Sequence, residues 1–287
     1  DRPLGFYAFE IPTAARAVQV ATSLPDSVAG VALNQWLKRT YTCVATNEAA
    51  QWGREGRAAD SSFWNACGPA TAAAADSIAA LRSRYSLTAP VMPDIAFAES
   101  MARLIRHHVS VGLRHLSRHE ANAEHVLYVL DELGPGAKLL VWGGDIEMGR
   151  LTDGRIVQTG VPLGEKLGDK YRAAAFAIGG GTIRARVPST GRGGGGGEPG
   201  FSNTRVALPG PESYEDVLMR ANNPNFWLDL RRLPSDSAGT WLRGPRQMRL
   251  ISELYTPLAP TAFETTVEFP KNYDAIVFAR TVSPAHP

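Results

Sequence analysis

The sequence is poor in cysteine, in lysine and in long apolar runs, and these shortages exclude several kinds of protein. No apolar run approaches the roughly 18–20 residues that a membrane-spanning helix needs. The formal net charge is only +2, and the basic residues are scattered without interleaved aromatics, so no nucleic-acid platform is indicated. We therefore expect neither a nucleic-acid nor a membrane partner. What remains is a chain of 287 residues with 44% hydrophobic and 20% charged residues, which is the composition of a soluble globular protein with a full core.

Two features leave the cellular compartment open. No signal peptide is visible, but the chain begins abruptly at Asp1, so a cytoplasmic protein and one exported after removal of a leader both fit the sequence. The two cysteines, Cys43 and Cys67, lie in one segment rich in alanine and tryptophan. They either pair in an oxidising compartment or remain free thiols in a helical layer.

The sequence also lacks the common motifs of nucleotide, serine-hydrolase and zinc chemistry. It has no GxxxxGK[ST] loop, no GxGxxG between a strand and a helix, no GxSxG elbow and no HExxH. Five of the six histidines fall within residues 107–125, where a solvated or mixed helix face is the favoured interpretation. We therefore expect no cofactor and no metal; an enzyme that holds a metal with Asp145, Glu147 and a histidine is a minor alternative.

The order of apolar patterns predicts an α/β fold with a mixed, mainly parallel sheet flanked by helices and a substantial helical layer. Residues 1–287 are predicted to form a single domain, with the helical layer over about 25–132, the sheet core over 1–24 and 133–287, and a flexible glycine-rich loop over 189–201. The helix patterns cover Ala70–Tyr85, Ile95–Val109 and Ala121–Leu133. The strand patterns include Leu139–Trp142, Ala173–Ile178, Thr182–Val187 and Phe226–Leu230, with a terminal hairpin of Thr265–Phe269 and Ala275–Thr281.

Acidic residues and glycines follow the apolar runs at the predicted sheet edge. The run Leu139–Trp142 leads into Gly143, Gly144, Asp145 and Glu147, and glycine lets both a sharp turn and a ligand approach the backbone closely. In extended chain, Asp145 and Glu147 would face the same way. Glu10 ends another predicted strand, where partial burial would raise its pKa and suit it to proton transfer.

Several stretches, in order along the chain, resemble the erythromycin esterase family. They are GFYAFE at 5–10, RHEANAEHV at 118–126, GPGAKLLVW at 134–142, Met148-Gly149 followed by Leu163-Gly164 and the glycine-rich strand 171–181, and YDAIVFARTVSP at 273–284. The resemblance implies the α/β fold of that family with its helical layer. It also implies hydrolysis of an ester-, lactone- or amide-like small molecule, with functional residues at the positions of Glu10 and Arg118.

The sequence departs from the family pattern at the residues that matter most for catalysis. The family's VWAHNAHV strand end is replaced by a segment with Gly144 and Glu147 at the two histidine positions, and His119 replaces an aspartate. The resemblance further implies a segment with a glutamate and a histidine ahead of position 1. Imidazole exchanges protons near neutral pH, so the loss of both histidines weakens the esterase prediction but not the fold prediction.

Two functions therefore stay open. In the first, Glu10, Asp145 and Glu147 are catalytic carboxylates, Arg118 stabilises the developing oxyanion, and Trp142, Gly143, Gly144 and His119 complete the substrate site. In the second, the protein is a catalytically silent relative that binds a small molecule or a protein partner in the same place.

Overall fold

The computed structural model describes residues 61–86, 92–112, 115–153, 156–186, 201–251 and 255–284. Glu10, Cys43 and nearly all of the predicted loop 189–201 lie outside these residues. The chain divides into two compact units, residues 1–140 and residues 141–287. The prediction of a single domain stays a prediction, and each unit is described by itself.

The described part of the first unit is helical. Three helices follow one another: α1 Ser61–Arg82, α2 Met92–Gly112 and α3 Arg118–Leu133. The helix α1 begins before the predicted start and carries Pro69 in its interior rather than at its first turn. Arg82 joins the three helices, because its guanidinium lies 2.7 Å from both the Glu99 carboxylate of α2 and the Glu132 carboxylate of α3.

Apolar side chains of all three helices form the core of this unit. Its larger buried side chains include Ile78, Ile95, Leu104, Ile105 and Val126. Cys67 is also fully buried and is bonded in a disulfide, so it is not a free thiol. None of the described helices combines the length and the hydropathy that a bilayer-crossing segment requires.

The second unit contains eight strands and five helices among its described residues. In chain order they are α4 Asp145–Met148, β1 Thr152–Asp153, β2 Ile156–Val157, α5 Gly160–Leu167, β3 Ala174–Arg186, β4 Phe201–Val206, α6 Tyr214–Leu218, β5 Asn225–Asp229, α7 Ser237–Arg243, β6 Arg246–Arg249, β7 Glu264–Val267, α8 Phe269–Asn272 and β8 Ala275–Val282. The mixture of helices and sheets confirms the α/β fold class.

The main sheet has the strand order β4-β3-β8-β5. The pair β3–β8 is parallel, whereas β3–β4 and β5–β8 are antiparallel. The sheet is therefore mixed, as predicted, but "mainly parallel" needs correction, since one of these three pairings is parallel. The two runs predicted over 173–187 form the single strand β3, because the glycines 179–181 continue the ladder instead of ending it.

Two further strand predictions are wrong within the described residues. The terminal hairpin does not form: β7 pairs with β6, and β8 lies in the main sheet between β3 and β5. The short helix α8 separates β7 from β8, so the chain does not fold back as a hairpin there. The run Leu139–Trp142 is not part of a ladder, although its side chains alternate between half-buried and exposed.

The two faces of the main sheet differ in burial. Ala175, Ala177, Ile276 and Phe278 point to one face and are almost completely buried. Their neighbours along the strands, Phe176 among them, point to the other face and keep substantial exposure. This alternation follows from the two-residue period of a β-strand.

A buried ion pair links the two-stranded sheet formed by β6 and β7 to the main sheet. Arg249 of β6 and Glu215 of α6 are 2% and 1% exposed, and the Arg249 backbone N–H donates to Glu215 Oε1 at 2.8 Å. The Arg249 guanidinium donates to the backbone carbonyls of Ile178, Gly179 and Ala207. These hydrogen bonds compensate the cost of burying the charge.

Candidate functional site

The predicted acidic segment forms the short helix α4, held at both ends by tyrosines. The hydroxyl of Tyr273 donates to the Asp145 backbone carbonyl at 3.0 Å, and the hydroxyl of Tyr171 donates to the Met148 carbonyl. Burial raises the pKa of both phenols, that of Tyr171 to about 12, so both remain protonated donors at neutral pH. A four-residue helix gains little stability by itself, and these long-range tethers hold its position.

Because the segment is helical, Asp145 and Glu147 do not face the same way, and the prediction of an extended pair is wrong. Residues two positions apart on a helix point to nearly opposite sides. The Asp145 side chain points to the main sheet, where it accepts a hydrogen bond from Phe176. The Glu147 side chain instead points back to Gly144, and its Oε2 lies 3.9 Å from the position that a Cβ on Gly144 would occupy.

Two glycines allow α4 to lie close to its surroundings. A Cβ on Gly149 would lie 2.7 Å from the Tyr273 ring. A Cβ on Gly160, at the start of α5, would lie 2.3 Å and 2.4 Å from the carbonyl oxygens of Met148 and Gly149. Only glycine permits these approaches, so the Met148-Gly149 stretch is a packing motif next to the acidic helix.

Asp145 is the functional candidate with the most defined environment. Its Oδ1 accepts the backbone N–H of Phe176 on β3 at 3.1 Å, while Oδ2 has no hydrogen-bond partner among the described residues. Burial raises the pKa of the Asp145 carboxyl from 3.8 to about 6, and the hydrogen bond from Phe176 opposes this shift. A carboxyl with a pKa of about 6 is partly protonated near neutral pH, and among the described residues only its Oδ1 is hydrogen-bonded.

The predicted substrate-binding residues around Asp145 are adjacent in space as well as in sequence. Gly144 is exposed, and within the described part of the chain only Glu147 lies within 4 Å of its possible Cβ. Trp142 is exposed, and its ring lies against that of Phe176, with the centroids 5.4 Å apart. Gly143 joins them in extended chain. The structure therefore brings Trp142, Gly143, Gly144 and Asp145 together.

Arg118 and His119 open helix α3 in the first unit. Ser117 accepts the Glu120 N–H and the Glu120 carboxylate accepts the Ser117 N–H, a capping box that fixes this helix start. Arg118 is exposed and His119 is half-buried; burial and then the Arg118 charge lower the pKa of His119. That these residues share a site with Asp145 stays a prediction, as does the role of Glu10.

One cleft in the second unit does not include Asp145 among its lining residues. Its volume is about 550 Å³, and it is lined by Arg150, Thr152, Val161, Gly164, Glu165, Gly168, Asp169, Arg172, Pro270, Lys271 and Asp274. Asp274 binds Arg150 Nη2 at 2.8 Å and the Ala173 N–H at 2.9 Å. These charged groups are committed to holding the starts of β3 and β8, so the cleft is not the stronger candidate.

Three residues around Asp145 were missed by sequence reasoning: Phe176, Tyr171 and Tyr273. The hydrogen bonds from Phe176 and Tyr273 to Asp145 join positions 31 and 128 residues apart, a separation that local patterns do not report. Their stretches, 171–181 and 273–284, nevertheless carried the family resemblance. Among the described residues, no group of three or more His, Cys, Asp or Glu side chains is arranged to hold a metal ion.

The sequence model for "Erythromycin esterase" matches residues 1–282. The chain belongs to the erythromycin esterase family. This membership confirms the resemblance found in the sequence. No curated protein matches the chain by sequence.

Two solved structures share the fold of this erythromycin esterase family member. A crystal structure of a Bacillus cereus protein is similar with a TM-score of 0.71 and 15% identity, covering 95% of this chain and 64% of that one. A histidine-to-asparagine mutant of the erythromycin esterase EreC in its open conformation is similar with a TM-score of 0.61 and 13% identity, covering 95% of this chain and 66% of that one. This chain therefore spans less than two thirds of either relative.

Proposed function

We propose that this erythromycin esterase family member hydrolyses an ester-, lactone- or amide-type small molecule, with Asp145 as the group that moves the proton. One observation carries the proposal: a half-buried carboxyl with a pKa of about 6 has one oxygen fixed by a backbone N–H and the other without a partner among the described residues. A general base works best when its pKa lies near the operating pH, and perturbed carboxyls of this kind are typical of functional sites.

The proposed step needs water and no other co-reactant. Ionised Asp145 takes a proton from a water molecule through Oδ2 while the water oxygen bonds to the carbonyl carbon of the substrate. The tetrahedral intermediate then collapses, the bond from carbon to the leaving oxygen or nitrogen breaks, and the proton passes from Asp145 to the leaving group. The products are a carboxylic acid and an alcohol or amine, and Asp145 returns ionised.

The remaining roles follow the sequence predictions and are part of the same proposal. Gly143 and Gly144 leave the backbone open to the substrate, which agrees with the exposure of Gly144. Glu10 is a second base or an orienting carboxylate, Glu147 holds substrate hydroxyls, and Arg118 stabilises the oxyanion.

The test compares wild type with Asp145→Asn on a panel of p-nitrophenyl esters and lactones. Asparagine keeps the shape of the side chain, and its carbonyl oxygen still accepts the Phe176 N–H, so only the proton exchange is lost. We expect kcat/KM to fall by about 10²–10⁴-fold. Asp131→Asn is the matched control, because Asp131 is an exposed aspartate on α3. Unchanged turnover in Asp145→Asn would remove Asp145 from the mechanism.

A second candidate function is ligand binding without turnover. It is favoured by Gly144 and Glu147, which stand where the family motif has its two histidines. In that case wild type hydrolyses no member of the panel at a rate above Asp145→Asn, yet an ester or its product acid still raises the melting temperature of both proteins by binding the folded state.

A further inference from the structure

A row of apolar side chains crosses the open face of the main sheet and begins at Asp145. Phe176 of β3 lies opposite Val277 of β8, and Val277 lies opposite Trp227 of β5. Directly paired residues on neighbouring strands point to the same face. Trp142 extends the row beyond the sheet edge, because its ring contacts that of Phe176. We call these four residues, Trp142, Phe176, Val277 and Trp227, the aromatic row.

The aromatic row is more exposed than a structural role explains. Trp142, Phe176 and Trp227 are 77%, 46% and 69% exposed. The opposite face of the same strands already supplies the core of the unit, since Ile276 and Phe278 are almost fully buried. Contiguous exposed apolar residues mark binding surfaces more often than chance, and large aromatic side chains dominate such surfaces.

Three of the neighbours of the aromatic row on β3 and β8 are alanines, which leaves the row accessible. Ala174 and Ala275 pair on one side, where Asp229 of β5 continues the line; Ile178 and Ala279 pair on the other side, where Asn225 continues it. Neighbouring strands are about 4.8 Å apart, so the row runs roughly 10 Å across the sheet from Phe176 to Trp227. This length suits an alkyl chain or a ring system of several carbons.

One residue connects the aromatic row to the proposed proton-transfer group. The backbone N–H of Phe176 donates to Asp145 Oδ1 at 3.1 Å, while the Phe176 ring belongs to the row. A substrate whose carbonyl lies at Asp145 would therefore lay its apolar part along the row. This continuity favours a small-molecule substrate over a protein partner as the occupant of the surface.

We propose that the aromatic row binds the apolar part of the substrate, and that the substrates are uncharged esters with a bulky acyl or alkyl group rather than short polar ones. This inference rests on the proposed function, because it takes Asp145 to act on the carbonyl. It adds Phe176 and Trp227 to the site as specificity-determining residues. Trp227 lies two strands away from Asp145, so its substitution changes affinity for the apolar group without touching the reacting atoms.

The experiment measures kcat/KM for p-nitrophenyl acetate and p-nitrophenyl octanoate in full-length wild type, Trp227→Ala and Trp227→Phe. We expect wild type to prefer the octanoate, and Trp227→Ala to lower the ratio of octanoate to acetate kcat/KM about tenfold. Trp227→Phe should retain most of the preference. Leu258→Ala is the control, because Leu258 is an equally exposed apolar residue outside the sheet, and it should leave the preference unchanged.

A binding measurement separates the failure of this inference from the failure of the proposed function. Two ketones that cannot be hydrolysed, 2-decanone and 2-butanone, are titrated into each protein by NMR. Tighter binding of 2-decanone that depends on Trp227 supports the surface even if no ester is cleaved. Ester hydrolysis with the same chain-length preference in wild type and Trp227→Ala overturns the surface alone. Conversion of a wild-type dimer to a monomer by Trp227→Ala, seen by sedimentation, also overturns it, since a second copy then covers the row.

Discussion

At the scale of single residues, the environment of Asp145 depends on burial rather than on a charged partner. Its carboxyl has a raised pKa because most of its surface is removed from water, and the N–H of Phe176 compensates only part of that cost. The nearby phenols act as neutral donors, since the pKa of each is raised by burial. A half-closed setting of this kind keeps an acid ready to exchange protons near pH 6.

The same burial predicts a pH-dependent gain of stability in Asp145→Asn. The folded-state pKa of about 6 lies above the unfolded value of 3.8, so the folded protein binds this proton more tightly. The stabilisation is fully present below about pH 4 and is lost as the pH rises through 6. We expect Asp145→Asn to raise the free energy of unfolding by about 2–3 kcal/mol at pH 8 and by little at pH 4.

Urea denaturation of wild type and Asp145→Asn at both pH values measures this gain. Asp131→Asn, on an exposed helix surface, should change stability little at either pH. An equal effect of Asp145→Asn at pH 4 and pH 8 would show that the Asp145 carboxyl is not desolvated in the folded protein.

At the scale of elements, apolar periodicity predicted the three described helices of the first unit and several strands of the second unit, but not the partners of those strands. The helix patterns over 95–109 and 121–133 correspond to α2 and α3, and the pattern over 226–230 corresponds to β5. Leu139–Trp142 has a strand-like apolar pattern, yet no ladder forms there within the described residues, because a strand needs a hydrogen-bonding neighbour that periodicity does not name.

The candidate site could likewise be predicted from local sequence patterns, but its tertiary partners could not. The segment Trp142–Glu147 was predicted as part of the site because glycines and acidic residues follow an apolar run there. The partners that position Asp145 come from β3 and from Tyr273, two residues before β8, and only tertiary packing brings them to it. Sequence reasoning also treated Asp145 and Glu147 as a pair, since it could not anticipate that a four-residue helix would separate their directions.

The close packing of α5 against α4 predicts that alanine substitutions at two glycines, Gly160 and Gly180, have different effects on stability. Gly160→Ala places a methyl group 2.3 Å from the Met148 carbonyl oxygen, and backbone atoms cannot move aside without cost. We therefore expect the free energy of unfolding to fall by about 2–4 kcal/mol. We also expect activity to be lost, because the displaced α4 carries Asp145. Gly180→Ala is the matched control, because no atom of the described residues lies within 4 Å of its Cβ position. Thermal unfolding of both variants tests this; similar melting temperatures would contradict the packing.

At the scale of the whole molecule, one prediction remains to be tested: that residues 1–287 fold as a single domain. If they do, calorimetry should show one transition whose calorimetric and van 't Hoff enthalpies agree. Two resolved transitions, or a calorimetric enthalpy well above the van 't Hoff value, would instead mean that the units divided at residues 140 and 141 unfold separately. Arg82→Met removes the cation between Glu99 and Glu132. It should therefore lower the melting temperature of the transition that belongs to the helical first unit and leave the other transition unchanged.

The pH dependence of kcat/KM for a p-nitrophenyl ester tests the central role of Asp145 most directly. We predict that wild-type kcat/KM rises with an apparent pKa of about 6 and stays level above it, because only ionised Asp145 accepts the proton from water. Asp145→Asn should lose both the rate and this inflection. An inflection near pH 6 that persists in Asp145→Asn, with most of the rate retained, would contradict the account.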